Sequence, residues 1–320
     1  MEETSPTNPP LGAKPPILVT GAHRSGTTWV GQMLTASREA AYISEPLNIL
    51  HRPGVFAAPT THWYTYICQE NQDQFLPALR QTLRFRYHTW AEIRSLRSRK
   101  DFLRMLRDWN TFLFGRLGKK RAVLKDPFAF FSAPWFASTL DCQVVITLRH
   151  PAAFASSLKR LDWPFDFKDL LAQPLLMRHV LSPFREDMEK ALQASDDVIG
   201  LASLLWRILY SIVAQYQTQY PHFHIVRHED LSLDPVEGFR VLYEKLGLHF
   251  TPRARETILK ASSAENPKEL SKRNIYAVQL DSRANLRNWK KRLSPGEIQR
   301  VRQITQEVAS LFYPEEDWES

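Results

Sequence analysis

Four short stretches of this 320-residue chain carry side chains of the kinds that handle anions and protons. The first is Gly21-Ala-His-Arg24-Ser-Gly26-Thr-Thr28, set between the apolar run Ile17–Thr20 and the helical spacing of Trp29, Val30, Met33 and Leu34. A strand, a glycine loop and a helix in that order aim backbone N–H groups at a phosphate, and Gly21 and Gly26 let the backbone approach closely. A nucleotide-hydrolysing loop needs Lys directly after its second glycine, then a hydroxyl residue for magnesium. Here Thr27 holds the Lys position and the cation, Arg24, lies inside the loop. No apolar strand ends in the Asp of a second magnesium ligand; Val144–Leu148 runs into Arg149 instead. Arginine in place of a metal suits transfer of a group with less charge than phosphoryl.

The second stretch is Leu148-Arg149-His-Pro151-Ala-Ala-Phe-Ala-Ser-Ser157. Pro151 can open a helix after the strand, and Arg149 and Ser157, eight apart, can reach one anion from opposite ends. The third, Val123-Leu-Lys125-Asp-Pro127, is a strand ending in a cation. The fourth is Ile43-Ser-Glu45-Pro46, in which Pro46 biases Glu45 toward extended backbone. Glu45 follows Arg24 by one helix and one strand, so a parallel sheet brings both to its C-terminal edge. A carboxylate there can accept a hydroxyl proton. An ion pair between Glu45 and Arg24 that only orients the loop fits the same spacing.

These residues need a scaffold, and the pattern supplies one. Strands are predicted at Ile17–Thr20, Ala41–Ser44, Ala122–Lys125, Val144–Leu148 and Phe223–Arg227, with helices between them. The alternation predicts an α/β fold, a P-loop-type central parallel sheet flanked by helices. Helical periodicity also runs over 26–37; the clearest helices are 196–219, 235–246 and 295–312, and Pro235 and Pro295 suit first-turn positions. The proposed organisation is a disordered tail over 1–16 and a single domain over 17–320, with a helical insertion at 52–120. The chain carries +8 overall, yet Arg80 to Arg121 alone holds thirteen Lys or Arg and three Asp or Glu, or +10. The basicity is local. It flanks the acceptor side in this reading, and a polyanionic partner or a solvated helix face explains it equally. Val198–Tyr216 is apolar but carries Arg207, which reads as a buried helix rather than a span. With no basic start before an apolar run and only Cys68 and Cys142, the expected setting is soluble and cytoplasmic.

His23-Arg-Ser-Gly-Thr-Thr-Trp29 closely resembles the loop of sulfotransferases that binds the 5′-phosphosulfate of 3′-phosphoadenosine-5′-phosphosulfate (PAPS). The resemblance implies that Arg24 and the amides of Ser25, Gly26, Thr27 and Thr28 hold the phosphosulfate. It also implies that Trp29 lies against adenine, although Trp29 equally fits the core face of its helix. In sulfotransferases the pair matching Arg149 and Ser157 binds the 3′-phosphate. Lys125-Asp-Pro resembles the tyrosylprotein and bacterial branches, where the Lys helps to neutralise the leaving phosphate oxygen. Cytosolic members place a catalytic His where Pro127 stands, so Glu45 becomes the base, as in Golgi carbohydrate and tyrosylprotein enzymes. Asn288-Trp-Lys-Lys-Arg-Leu-Ser294 resembles the last cofactor segment without its glycines, and Arg283 is a candidate 3′-phosphate contact.

The expected activity is metal-free sulfuryl transfer from PAPS to a hydroxyl, with catalytic residues Glu45, Lys125 and Arg24. Ser44-Glu-Pro-Leu-Asn-Ile-Leu-His51-Arg-Pro53 resembles bacterial enzymes associated with glycans and exopolysaccharides, which makes a sugar the first acceptor. A hydrophobic natural-product alcohol is the alternative, suggested by Trp63, Tyr64, Tyr66 and Trp163. Outside the class, a P-loop small-molecule kinase or a nucleic-acid-binding protein stays open.

Overall fold

The apolar runs form five strands: β1 (Ile17–Gly21), β2 (Ala40–Ser44), β3 (Arg121–Lys125), β4 (Gln143–Leu148) and β5 (His224–Arg227). Their order in the sheet is β2-β3-β1-β4-β5, and every neighbouring pair is parallel. This is the predicted α/β architecture. The computed structural model describes residues 14–50, 52–193, 196–269 and 277–319. His51 and the first thirteen residues of the predicted tail lie outside them. The end of that tail is tied down: Gln143 N–H donates to the Pro16 carbonyl at 2.8 Å, and the Arg121 guanidinium to the Pro15 carbonyl.

β1 and β3 are buried along their whole length, so they read as unbroken apolar runs rather than as alternation. Successive residues still go to opposite faces. Leu18, Ile43, Leu124 and Ile146 join one core, and Ile17, Val19, Val123 and Val145 join the other. The first core is closed by the helix Val198–Gln219 through Leu205, Ile208, Leu209 and Ile212. Among the described residues it is the one helix long and apolar enough to cross a membrane, and it lies in the core. The second core is closed by α1 (Thr27–Met33) and the helix Pro235–Lys245, through Trp29, Val30, Phe239 and Leu242.

Between β2 and β3 come the helices of the basic insertion: α2 (Leu76–Leu83), α3 (Thr89–Ser95) and α4 (Arg99–Leu117). Ser98 caps α4, its side chain accepting from Asp101 N–H at 3.2 Å. The insertion is stapled to the loop after β2. Arg52 pairs with Asp108, the buried Glu92 accepts from Gly54 N–H at 2.8 Å, and His88 N–H donates to the Gly54 carbonyl at 2.9 Å. After β3 follow α5 (Ala133–Leu140) and, beyond β4, α6 (Pro151–Leu161), which Pro151 opens as expected. One predicted helix shrinks. The 26–37 segment is helical only over Thr27–Met33, because Thr35 and Ala36 bond three residues back and Arg38 turns left-handed at φ 66°.

Candidate active site

The loop after β1 is a tight, preformed structure. Arg24 (φ 67°), Gly26 (φ 96°) and Gly21 (φ 140°) all take positive φ. A Cβ on Gly26 would come 2.8 Å from His228 Nδ1, and one on Gly21 would come 2.5 Å from the Thr147 carbonyl. Glycine is therefore required at both positions by conformation and by space. Ser25 is fully buried, donating to the Ala22 carbonyl at 2.6 Å and sharing a hydrogen bond with the Thr147 hydroxyl at 2.6 Å. Its side chain anchors the loop to β4.

Arg24 is held at both ends. Its Nε donates to Ser157 Oγ on α6 at 3.3 Å, while Arg149 Nη1 donates to the Arg24 carbonyl at 2.6 Å. Arg149 is itself fixed, since Trp206 Nε1 and the Tyr210 hydroxyl donate to its carbonyl at 2.8 and 3.0 Å. Its Nε is buried without a partner, and burial holds its pKa below the usual guanidinium value. The spacing of Arg149 and Ser157 suggests two arms around one anion. In the structure Arg24 engages both, its carbonyl accepting from Arg149 and its Nε donating to Ser157.

Glu45 departs from expectation in its backbone. It does not extend ahead of Pro46 but turns left-handed at φ 47°. Its N–H donates to the Lys125 carbonyl at 2.8 Å, continuing the β2–β3 ladder, and the chain must then swing out of the sheet. Such a conformation costs a non-glycine residue about 1–3 kcal/mol, which the surrounding contacts must supply. Lys125 bonds Glu45 Oε1, Asn48 Nδ2 donates to Oε2 at 2.8 Å, and Leu47 N–H donates to Asp126 at 2.6 Å. The partner of Glu45 is thus Lys125, not Arg24. The Lys125 side chain is 1% exposed. Burial alone would lower its pKa, but Tyr42, Glu45 and Asp126 hold it above the ordinary lysine value. Asp126 is fully buried, and burial and the neighbouring Glu45 push its pKa up to about 7.

These pieces border one cleft of about 250 Å³ at the C-terminal edge of the sheet. Arg24, Gly26, Thr27, Thr28, Trp29, Glu45 and Arg149 all line it. Ser25, Lys125 and Ser157 stand behind that lining. Arg283 is directed elsewhere, its guanidinium donating to the Leu233 carbonyl at 3.0 and 2.7 Å. Trp29 packs edge-on against Phe239 and His228, and it also borders the cleft. Of the four aromatics noted in the sequence, Trp63 and Trp163 line the cleft beside Phe128. Tyr64 is buried against His23 at 2.9 Å, and Tyr66 borders a separate cavity. Among the described residues, none from 80 to 121 lines the cleft.

Two cleft residues escape a reading by spacing. His228 comes from the far end of β5, and both its ring nitrogens are buried without a hydrogen-bond partner. His23 precedes the loop arginine and points Nε2, also unpartnered, among Phe154, Trp163 and Phe165. Burial drives both imidazoles down to about 3, with Arg149 adding to the effect at His228 and Arg24 at His23. The segment His228-Glu-Asp-Leu231 is a visible motif, but only the fold aims His228 at Gly26. Away from the cleft, Cys68, Glu70 and His179 bring ligand-type atoms within 4.8 Å of one another, a convergence that cysteine spacing does not reveal. Arg178 already engages that Glu70 carboxylate.

No curated protein matches the chain. The sulfotransferase domain from the curacin biosynthetic pathway is similar in structure, with 16% identity over 95% of this chain and 99% of that one, at a TM-score of 0.50. Sulfotransferase STF9 from Mycobacterium avium shares 15% identity over 94% of this chain and 78% of its own, at a TM-score of 0.45. The sulfotransferase from Alicyclobacillus acidocaldarius shares 14% over 96% and 100%, at 0.42. A family model described as the sulfotransferase family matches residues 15–252. That match begins just before β1 and takes in every strand of the sheet, the arginine loop, Glu45 and Arg149, and by it the chain belongs to the sulfotransferase family.

Proposed function

We infer that the chain moves the sulfuryl group of PAPS to an acceptor hydroxyl in the cleft between Arg24 and Glu45. One observation carries the reading: an arginine loop, an arginine with a buried unpartnered nitrogen and a carboxylate all line the same cleft. The site fits a nucleotide bisphosphate. Arg149 Nε and the His228 ring offer unused buried polar atoms beside the loop. PAPS supplies the sulfuryl group and its activated anhydride. Arg24 and the amides of Ser25, Gly26, Thr27 and Thr28 hold the phosphosulfate, Arg149 and Ser157 the 3′-phosphate, and Trp29 flanks the adenine side. Glu45 takes the proton of the attacking hydroxyl through a free lone pair of its carboxylate. Lys125 is a positioning residue, holding Glu45 by its ammonium at the end of β3. Preorganised charge and positioning supply most of the rate.

The acceptor side favours an apolar alcohol over a sugar. Near Glu45 its walls are Trp63, Phe128, Trp163, Pro127 and Leu50, with Asn48 as the added polar group. A sugar presents several hydroxyls, and most would lose water without a protein partner there. A glycan remains the second reading because Trp63 and Trp163 can stack on a sugar ring. A transfer screen with labelled PAPS over glycans, phenols and alkyl alcohols tests both. Turnover confined to alcohols and phenols is the expected result, turnover confined to glycans reverses the order, and no transfer to any hydroxyl overturns the reading.

A further inference from the structure

α4 has two apolar faces, and only one of them is packed. Met105, Phe112 and Gly115 point inward. The other face carries Phe102, Leu103, Leu106, Trp109, Phe114 and Leu117, exposed by 39% at Leu106 and up to 71% at Leu117. Steps of three, four, seven and eleven residues put them on one side of the helix. On α3, which packs against α4, Trp90 (77% exposed) and Ile93 are also exposed. Eight of the thirteen large apolar side chains exposed among the described residues fall within 90–117, so this is a patch rather than ordinary scatter.

Its charge identifies the occupant. Arg94, Arg97, Lys100, Arg104, Arg107 and Arg116 are exposed around the stripe. The acids of the same segment are engaged: Glu92 is buried on Gly54, Asp108 pairs with Arg52, and Asp101 pairs with Arg104. A second copy of the chain docking by a two-fold axis would set this +10 segment against itself. A nucleic acid would satisfy the charges but leave Phe102, Leu103, Leu106 and Leu117 in water. An anionic bilayer answers both features, taking the aromatic and Leu side chains into its interface while Lys and Arg meet lipid phosphates. We propose that the α3–α4 face docks this sulfotransferase on anionic membrane surfaces, with α4 lying in the plane of the bilayer.

Vesicle flotation tests it. The wild type floats with phosphatidylcholine vesicles containing about a third phosphatidylglycerol, stays in solution with phosphatidylcholine alone, and is released by salt. Arg94→Glu with Arg97→Glu and Lys100→Glu lowers partitioning by about a hundredfold or more. Phe102→Ser with Trp109→Ser and Phe114→Ser lowers it by about tenfold or more. All six side chains are exposed, and unchanged melting temperatures show that the variants fold. The proposal is overturned if the wild type ignores anionic vesicles, or if the serine variant floats as well as the wild type. It is also overturned if the serine variant turns a wild-type dimer into a monomer with no vesicle binding, or if an oligonucleotide duplex binds the wild type and the serine variant alike while vesicles do not.

Discussion

Glu45→Gln separates chemistry from scaffolding at the centre of the site. The substitution keeps an acceptor for the Lys125 ammonium but removes the charge. Breaking a buried pair outright costs about 3–5 kcal/mol. Here Asp126 and Tyr42 still surround the ammonium, and the amide oxygen still accepts its hydrogen bond, so the expected stability loss is about 1–2 kcal/mol. The loss as a base is larger: turnover falls about 10²–10⁴-fold, equivalent to about 2.7–5.5 kcal/mol in the transition state. The assay is labelled sulfate transfer at saturating PAPS, with calorimetric binding of 3′,5′-adenosine bisphosphate in parallel. That affinity should change by no more than about twofold, since Glu45 is on the acceptor side. Lys125→Met extends the test. If Lys125 works through Glu45, the double variant is no slower than Glu45→Gln alone. Turnover within about threefold of wild type in Glu45→Gln, with the stability loss present, refutes the proton-acceptor role and leaves a structural ion pair.

Three further outcomes follow from the same geometry. The protein should bind 3′,5′-adenosine bisphosphate about a hundredfold or more tighter than ADP, and Arg149→Met should remove most of that preference by calorimetry; equal affinities for the two nucleotides contradict the 3′-phosphate assignment. Transfer should continue in EDTA, because Thr27 replaces the Lys of a magnesium-binding loop; loss in EDTA restored by magnesium favours a kinase. Acid should destabilise the fold: His23, His150 and His228 are held down to about 3 from 6.5, so their contribution is present above 6.5 and lost as pH falls through that interval. Asp126, raised from 3.8 to about 7, works in the opposite direction, as do the raised Glu92, Asp108 and Glu229, so the three imidazoles and Asp126 by themselves give the unfolded chain about two more protons near pH 5, about 2.7 kcal/mol per pH unit from those four groups in denaturant titrations. A flat stability between pH 5 and about 6.5 contradicts the neutral burial of the three imidazoles.

The sheet was legible because strands buried on both faces leave unbroken apolar runs, and Ile17–Thr20 or Val144–Leu148 admit few other readings. The cradle was legible for a local reason: Gly21, Arg24 and Gly26 lie within six residues, so spacing alone carries their geometry. Contacts between distant segments were not. Nothing in the local pattern says that Lys125 reaches Glu45 instead of facing the cleft, that Arg24 bonds both Arg149 and Ser157, or that Arg283 turns to the Leu233 carbonyl. The bias of Pro46 on Glu45 was a sound local rule that lost to the Lys125 carbonyl and the Asp126 carboxylate. The +10 segment was visible as charge, but its apolar stripe emerges only once the inward face of α4 is known.

His228 abuts Gly26 from two hundred residues further along the chain. The anion cradle therefore has no finished shape in a nascent chain that ends before β5, even though all its own residues have been made. Closing it belongs to the slow, long-range part of folding, after β1 has gained β3, β4 and the strand beyond them. On the proposed function, a bound nucleotide then acts on the whole protein. It holds together the first and last thirds of the chain and, by mass action, disfavours every partly opened form in which they have separated. If PAPS is the donor, cells rich in its bisphosphate product would keep this protein folded while competing for its site.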